Sequence, residues 1–155
     1  IVVTSSTDST MVYARLANCF TESMDAAILA GVPITFTFLI DFYHERPKWF
    51  DERISSVVVK QTIKYDNLKK IFHVSLMDGR SESEFQDFDG AKKAMAELNG
   101  IALFSLQDLQ KDTSYYVMIK AKLDTIQLPM YMEYILFFVS LWDFETDWYK
   151  QRLVI

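Results

Sequence analysis

The sequence predicts a mainly β fold: an antiparallel β-sandwich (Ig-like) or a strongly curved sheet, carrying two short helices at about 21–31 and 88–99. Three observations lead there. Pro33–His44, PITFTFLIDFYH, places Ile34, Phe36, Phe38, Ile40 and Phe42 at every second position. Side chains alternate across a strand, so these five residues form one continuous apolar face. Tyr115–Leu123 repeats the pattern, with Tyr115, Val117, Ile119, Ala121 and Leu123 alternating with Tyr116, Met118, Lys120 and Lys122. Between such strands the connections look like hairpins, and only two stretches show a helical period, which favours antiparallel pairing.

Taken in order, the chain opens with a Ser/Thr-rich lead-in over 1–9, expected to be flexible, before a strand at Met11–Asn18. The first helix spans Glu22–Ala30. Thr21 is its expected cap, since its hydroxyl can accept from a free N–H of the first turn. Glu22 and Asp25 suit the positive end of the helix dipole. Gly31 and Pro33 stop the helix and deliver the chain into the long Pro33–His44 strand. A polar turn, ERPKWFDE, follows, and then Ile54–Tyr65 and Ile71–Met77 read as an antiparallel pair joined at Asp66-Asn67. Asp78-Gly79 breaks the second of these, and SESEFQDF reads as an acidic loop. The second helix, Gly90–Asn99 with Asp87 or Asp89 as its cap, stacks Phe88, Ala91, Met95 and Leu98 on one stripe. Gly100 is expected to end it, before a short strand at Ile101–Phe104. Beyond Leu128-Pro129 the chain is too uniformly apolar for period counting, and a strand around Ile135–Leu141 is the favoured reading.

With 155 residues, half of them apolar and 15% aromatic, the chain suits one domain with an ordinary core. Its net charge of −5 and lack of a Lys/Arg run argue against a nucleic-acid partner. A single cysteine, Cys19, rules out an intrachain disulfide. The thiol precedes a helix, where it could be activated, but the commoner use of a lone cysteine is as a small buried hydrophobe. No paired-histidine or Cys/His cluster suggests a metal, no GxSxG elbow marks a nucleophile, and no cofactor is expected. The longest apolar run, Tyr134–Trp142, is well short of a membrane helix. The chain opens at Ile1 without an initiator methionine, so an N-terminal piece is expected to be missing.

Two stretches concentrate functional residue types. In WDFETDWY, Asp143, Glu145 and Asp147 share a face if the segment is a strand, flanked by Trp142 and Trp148. Convergent carboxylates could bind a hard cation or act as an acid–base pair on a glycoside. The plainer reading packs the rings into the core and leaves the acids in water. Arg46, Lys48, Trp49 and Phe50 form the other candidate, a loop tip whose planar and aromatic groups are of the kind enriched where proteins meet partners; the alternative is a lid folded over the sheet end. Leu39 and Tyr43, on the second face of the central strand, call for a cover, and the C-terminal aromatic segment is the best candidate. A functional surface is therefore expected where the Arg46–Phe50 loop meets WDFETDWY. Lys60, Lys64, Lys120 and Lys122 are candidate guards of exposed sheet edges.

The stretches ARLANCFTESMDAAILAGVPITFTFLIDFY, WFDERI, KYDNLKKIFHVSL and LPMYMEYILFFVSLWDFETDWY together resemble an uncharacterised family of bacterial proteins labelled a domain of unknown function. The resemblance runs from about Val12 to Tyr149 and is most specific at Leu128-Pro129 and WDFETDWY. It implies an extracytoplasmic location, periplasmic or tethered to the membrane through an N-terminal signal or anchor. It also implies a link to envelope signalling, because such proteins are often encoded beside nitrogen-regulation-type sensor histidine kinases. It carries no reaction and no catalytic residue. The expected function is thus a non-enzymatic module that binds another protein. A lipid- or saccharide-binding sandwich built on Trp49, Trp142 or Trp148 is the alternative, and an acid–base hydrolase using Asp143, Glu145 or Asp147 is third.

Overall fold

A computed structural model describes residues 2–5, 9–17, 19–105, 110, 112–124 and 145–153. Their order is β1 (Val2–Ser5), β2 (Ser9–Arg15), α1 (Glu22–Leu29), β3 (Ile34–Glu45), β4 (Glu52–Asp66), β5 (Ile71–Leu76), β6 (Ser81–Phe85), α2 (Phe88–Met95), β7 (Glu97–Ser105), β8 (Ser114–Leu123) and β9 (Tyr149–Leu153). Among the described residues every strand pairing is antiparallel, six strands form one open sheet in the order β6-β5-β4-β3-β8-β9, and β1-β2-β7 form a second. The mainly β expectation therefore holds, and β3 sits near the middle of the large sheet between β4 and β8.

The alternation in β3 decides which face is core. Ile34, Phe36, Phe38, Ile40 and Phe42 are all buried, together with Val59 and Ile63 of β4, Phe72 and Val74 of β5, and Val117, Ile119 and Ala121 of β8. Val12 and Leu98 of the small sheet and Met24, Ile28, Ala91 and Met95 of the helices complete the same cluster. A polar residue of β4, opposite Phe36, also faces this side. Gln61 is 1% exposed, and its Nε2 donates to the carbonyls of Met95 and Glu97, both at 2.9 Å. Those two carbonyls lie where α2 passes into β7, so Gln61 pins that junction to the large sheet.

Both helices are capped from the sequence positions expected. Thr21 Oγ1 accepts from the Met24 N–H at 3.2 Å, and the Asp87 carboxylate accepts from the Gly90 N–H at 2.7 Å. The second helix, however, stops at Met95 rather than Asn99, and Glu97 already pairs with Arg15 of β2. Gly100 is therefore not a helix terminator. Its φ of +68° lies at a break in the β2–β7 register, where Asn99 and Gly100 together face Tyr13. A strand that places two residues against one is bulged, and glycine takes the left-handed position cheaply. Leu98 is buried as expected, but from a strand.

The SESEFQDF stretch is a second correction. Its first five residues form β6, paired with β5 through a turn in which Met77, Asp78 and Gly79 all have positive φ. Ser83 and Phe85 face inward opposite Val74 and Phe72, while Glu82 and Glu84 face outward. The acids that suggest a loop are the solvent face of an edge strand. Ile135–Leu141 lies outside the described residues.

Candidate functional site

At the exit of β3 the sheet opens into a cleft of about 860 Å³. The end of β3 contributes His44 and Glu45, and the connection to β4 contributes Arg46, Pro47, Lys48, Trp49 and Asp51. The entry to β8 supplies Asp112, Thr113 and Ser114, and β9 supplies Arg152. Antiparallel pairing dictates this meeting: the end of β3 lies beside the start of β8, where Glu45 pairs with Ser114, and the end of β9 returns there, where Arg152 pairs with Tyr116.

The tip is braced from below. Asp51 accepts from the Arg46 N–H at 3.1 Å through Oδ1 and from the Tyr116 hydroxyl at 2.6 Å through Oδ2. These two hydrogen bonds, the Tyr116 one foremost, hold the Asp51 carboxyl below its ordinary range. Burial, reinforced by the same carboxylate, pushes the Tyr116 phenol upward. Tyr116 stacks on Tyr43 with centroids 5.1 Å apart and planes 11° from parallel, and Lys150 Nζ sits 3.9 Å from its ring centroid. The remaining charges are largely paired: Arg46 with Glu52, and Arg152 with Glu45 at 3.1 Å. The His44 ring stacks on Tyr115 at 5.1 Å. Against this fixed base stand two bare rings, Trp49 at 78% exposure and Phe50 at 94%.

Of the residues singled out in the sequence, Arg46, Lys48 and Trp49 line the cleft and Phe50 projects beyond it. The described part of WDFETDWY is elsewhere. Glu145 bridges to Lys122 and forms an ion pair with Lys120, whose ammonium holds the Glu145 carboxyl below its ordinary range. Trp148 is 40% exposed, with the Lys120 ammonium 5.7 Å from its ring centroid, and Asp147 is exposed. These groups flank the half of β8 remote from its start at the cleft, because β9 runs antiparallel to β8 and reaches the cleft only at its own end. Trp142 and Asp143 lie outside the described residues. Among the described residues, the Arg46–Trp49 loop meets Arg152 rather than Glu145, Asp147 or Trp148. On the Leu39–Tyr43 face, Trp148 and Glu145 contact Lys120, the residue opposite Leu39, and Lys150 lies over Tyr116, the residue opposite Tyr43.

Asp51, Asp112, Thr113, Ser114 and Arg152 were not foreseen as cleft residues. Asp51 comes with the loop itself, whereas the strand order alone brings Asp112, Thr113, Ser114 and Arg152 to it. Among the described residues no group of three or more His, Cys, Asp or Glu side chains is placed to hold a metal ion, and no helix is long and apolar enough to cross a membrane. Cys19 is 3% exposed, and burial pushes its thiol up to about 11. Such a thiol is a core residue rather than a nucleophile at neutral pH.

A family model described as domain of unknown function (DUF4390) matches residues 1–152. No curated protein and no solved structure matches the chain.

Proposed function

The chain belongs to the DUF4390 family of domains of unknown function, and we propose that it acts without catalysis, as an extracytoplasmic module that docks a protein partner through the β3–β4 tip. One observation carries this reading: Trp49 and Phe50 are adjacent, strongly exposed, and mounted on a tip fixed by Asp51 and Tyr116. Exposed rings cost solvation, and a rigid mount lowers the entropy lost when they are buried by a partner. Lys48, beside them, has no ion pair among the described residues, so the fitting partner surface is an apolar socket with a carboxylate at its rim. The extracytoplasmic placement and the link to envelope signalling rest on the family resemblance.

A photo-crosslinking side chain at position 50, in cells producing the full-length protein, tests the docking. One discrete adduct, lost with Trp49→Ala, is the expected result. Recovery of the uncrosslinked chain alone, with the tip intact, would overturn the reading. Fusion of a compartment-dependent reporter to the C-terminus of the full-length protein tests location.

The cleft supports a second reading, a saccharide held against Trp49. Its volume is within the range of small-ligand sites, and its lining mixes one indole with Asp51, Asp112, Thr113 and Ser114. The charged lining suits a sugar better than an acyl chain. Quenching of Trp49 fluorescence by neutral oligosaccharides, absent in Trp49→Phe, would support it.

A further inference from the structure

The two edges of the large sheet, among the described residues, are β6 and β9. They are complementary. On β6, Glu82 and Glu84 point to the outer face while Ser83 and Phe85 point toward the core, opposite Val74 and Phe72. On β9, Lys150 and Arg152 point to that same outer face, opposite Met118 and Tyr116, while Gln151 and Leu153 point inward, opposite Val117 and Tyr115. The large sheet has an even number of antiparallel strands, so β6 and β9 run in opposite directions. A copy of the chain displaced sideways in the plane of the sheet would therefore bring its β6 antiparallel to this β9, with both outer faces on the same side.

We propose that the chain self-associates head to tail by this β6–β9 junction, extending the sheet from one copy into the next. Both strands have five residues. Full antiparallel register sets Glu82 opposite Arg152, Ser83 opposite Gln151, Glu84 opposite Lys150 and Phe85 opposite Tyr149. Directly opposed side chains interact, opposite charges favourably and like charges unfavourably. The alternative, symmetric pairings fail by the same rule. Two β6 strands centred on Ser83 set Glu82 against Glu84, and two β9 strands centred on Gln151 set Lys150 against Arg152. Each edge thus repels itself and attracts the other, which selects a heterologous contact over a closed dimer. The side chains involved are accessible: Glu84 is 66% and Arg152 69% exposed, and Tyr149 is half exposed. Arg152 contacts Glu45 and Lys150 lies over Tyr116, both on the outer face. The junction shares Arg152 with the cleft at the tip, whereas Glu82 and Glu84 do not line that cleft, so the β6 reversal separates self-association from partner docking.

Sedimentation velocity of the full chain at low ionic strength tests this. The expected result is a series of species that grows with concentration without stopping at a dimer, and that shrinks as salt screens the pairs. Glu82→Lys with Glu84→Lys should weaken association by roughly tenfold or more, as should Lys150→Glu with Arg152→Glu. Mixing these two variants should restore it, since each then offers edges that match the other's; restoration also shows that both are folded. A chain that stays monomeric at its highest soluble concentration would overturn the proposal. So would association that ignores the charge reversals, or a mixture no more associated than its components.

Discussion

The Tyr116 hydroxyl donates to Asp51 Oδ2 at 2.6 Å, tying the β3–β4 tip to a strand 65 positions further along the chain. Asp51 is also the acceptor for the Arg46 N–H, so one carboxylate fixes both the start of the loop and its floor. Because these bonds favour the ionised form, the folded-state value lies below the ordinary 3.8. The associated stabilisation is present above that ordinary value and is lost as pH falls through the folded one. Asp51→Asn is therefore expected to melt below the wild type at neutral pH, with the gap closing as both are acidified through the carboxylate range. Thermal melts of the two proteins across that range check it. A gap that stays constant to acid pH would show that the charge on Asp51 does not matter.

Gln61 is a buried side chain that bonds across from the large sheet to the α2–β7 junction. Replacing it with leucine keeps the volume but strips a donor from the carbonyls of Met95 and Glu97. Removing the donor shared by these acceptors, one buried and one part-buried, costs roughly 1–3 kcal/mol. Urea unfolding of Gln61→Leu should show a lower midpoint with an unchanged slope. Amide exchange should quicken most at the start of β7, where the junction is released.

Two phenylalanines separate folding from function. Phe38 is 1% exposed in the middle of the central strand, and Phe50 is 94% exposed at the tip that the strand leads to. Phe38→Ala removes a ring from a packed cluster and should destabilise by about 3–5 kcal/mol. Phe50→Ala should change stability by no more than about 0.5 kcal/mol. Only the second should lose crosslinking to a partner, read from a photo-crosslinking side chain placed at position 48, while keeping the wild-type melting temperature. Equal destabilisation by both would mean that the tip is part of the fold rather than a surface for binding.

The split between what was legible in sequence and what was not follows the range of the interactions. Period-two alternation in PITFTFLIDFYH and in Tyr115–Leu123 is local, and both strands lie where it places them. The caps at Thr21 and Asp87 are equally local. Gly100 was misleading because the same left-handed residue can close a helix or bulge a strand, and the choice depends on β2, about 85 residues earlier. Glu82 and Glu84 looked like a loop because an edge strand with one wet face carries few apolar residues. At the site, Arg46, Lys48 and Trp49 were recognisable as residue types. Their companions Asp112 and Arg152 depend on strand order, which no local pattern encodes.

Cys19 offers a direct check on burial. Its sulfur lies in the core cluster, and loss of solvation raises the thiol to about 11, opposed by its own backbone hydrogen bond and by the nearby Lys92 charge. At neutral pH the thiolate fraction is therefore far below that of a free cysteine, and the reagent must also reach a residue 3% exposed. The native protein should react with a thiol-specific disulfide reagent only as fast as it opens, and stoichiometrically once denatured. Raising the pH toward 11 should not restore fast labelling while the fold persists, because access rather than ionisation then limits the rate. Rapid stoichiometric labelling of the native chain at neutral pH would place Cys19 at the surface, outside the core that α1 helps to close.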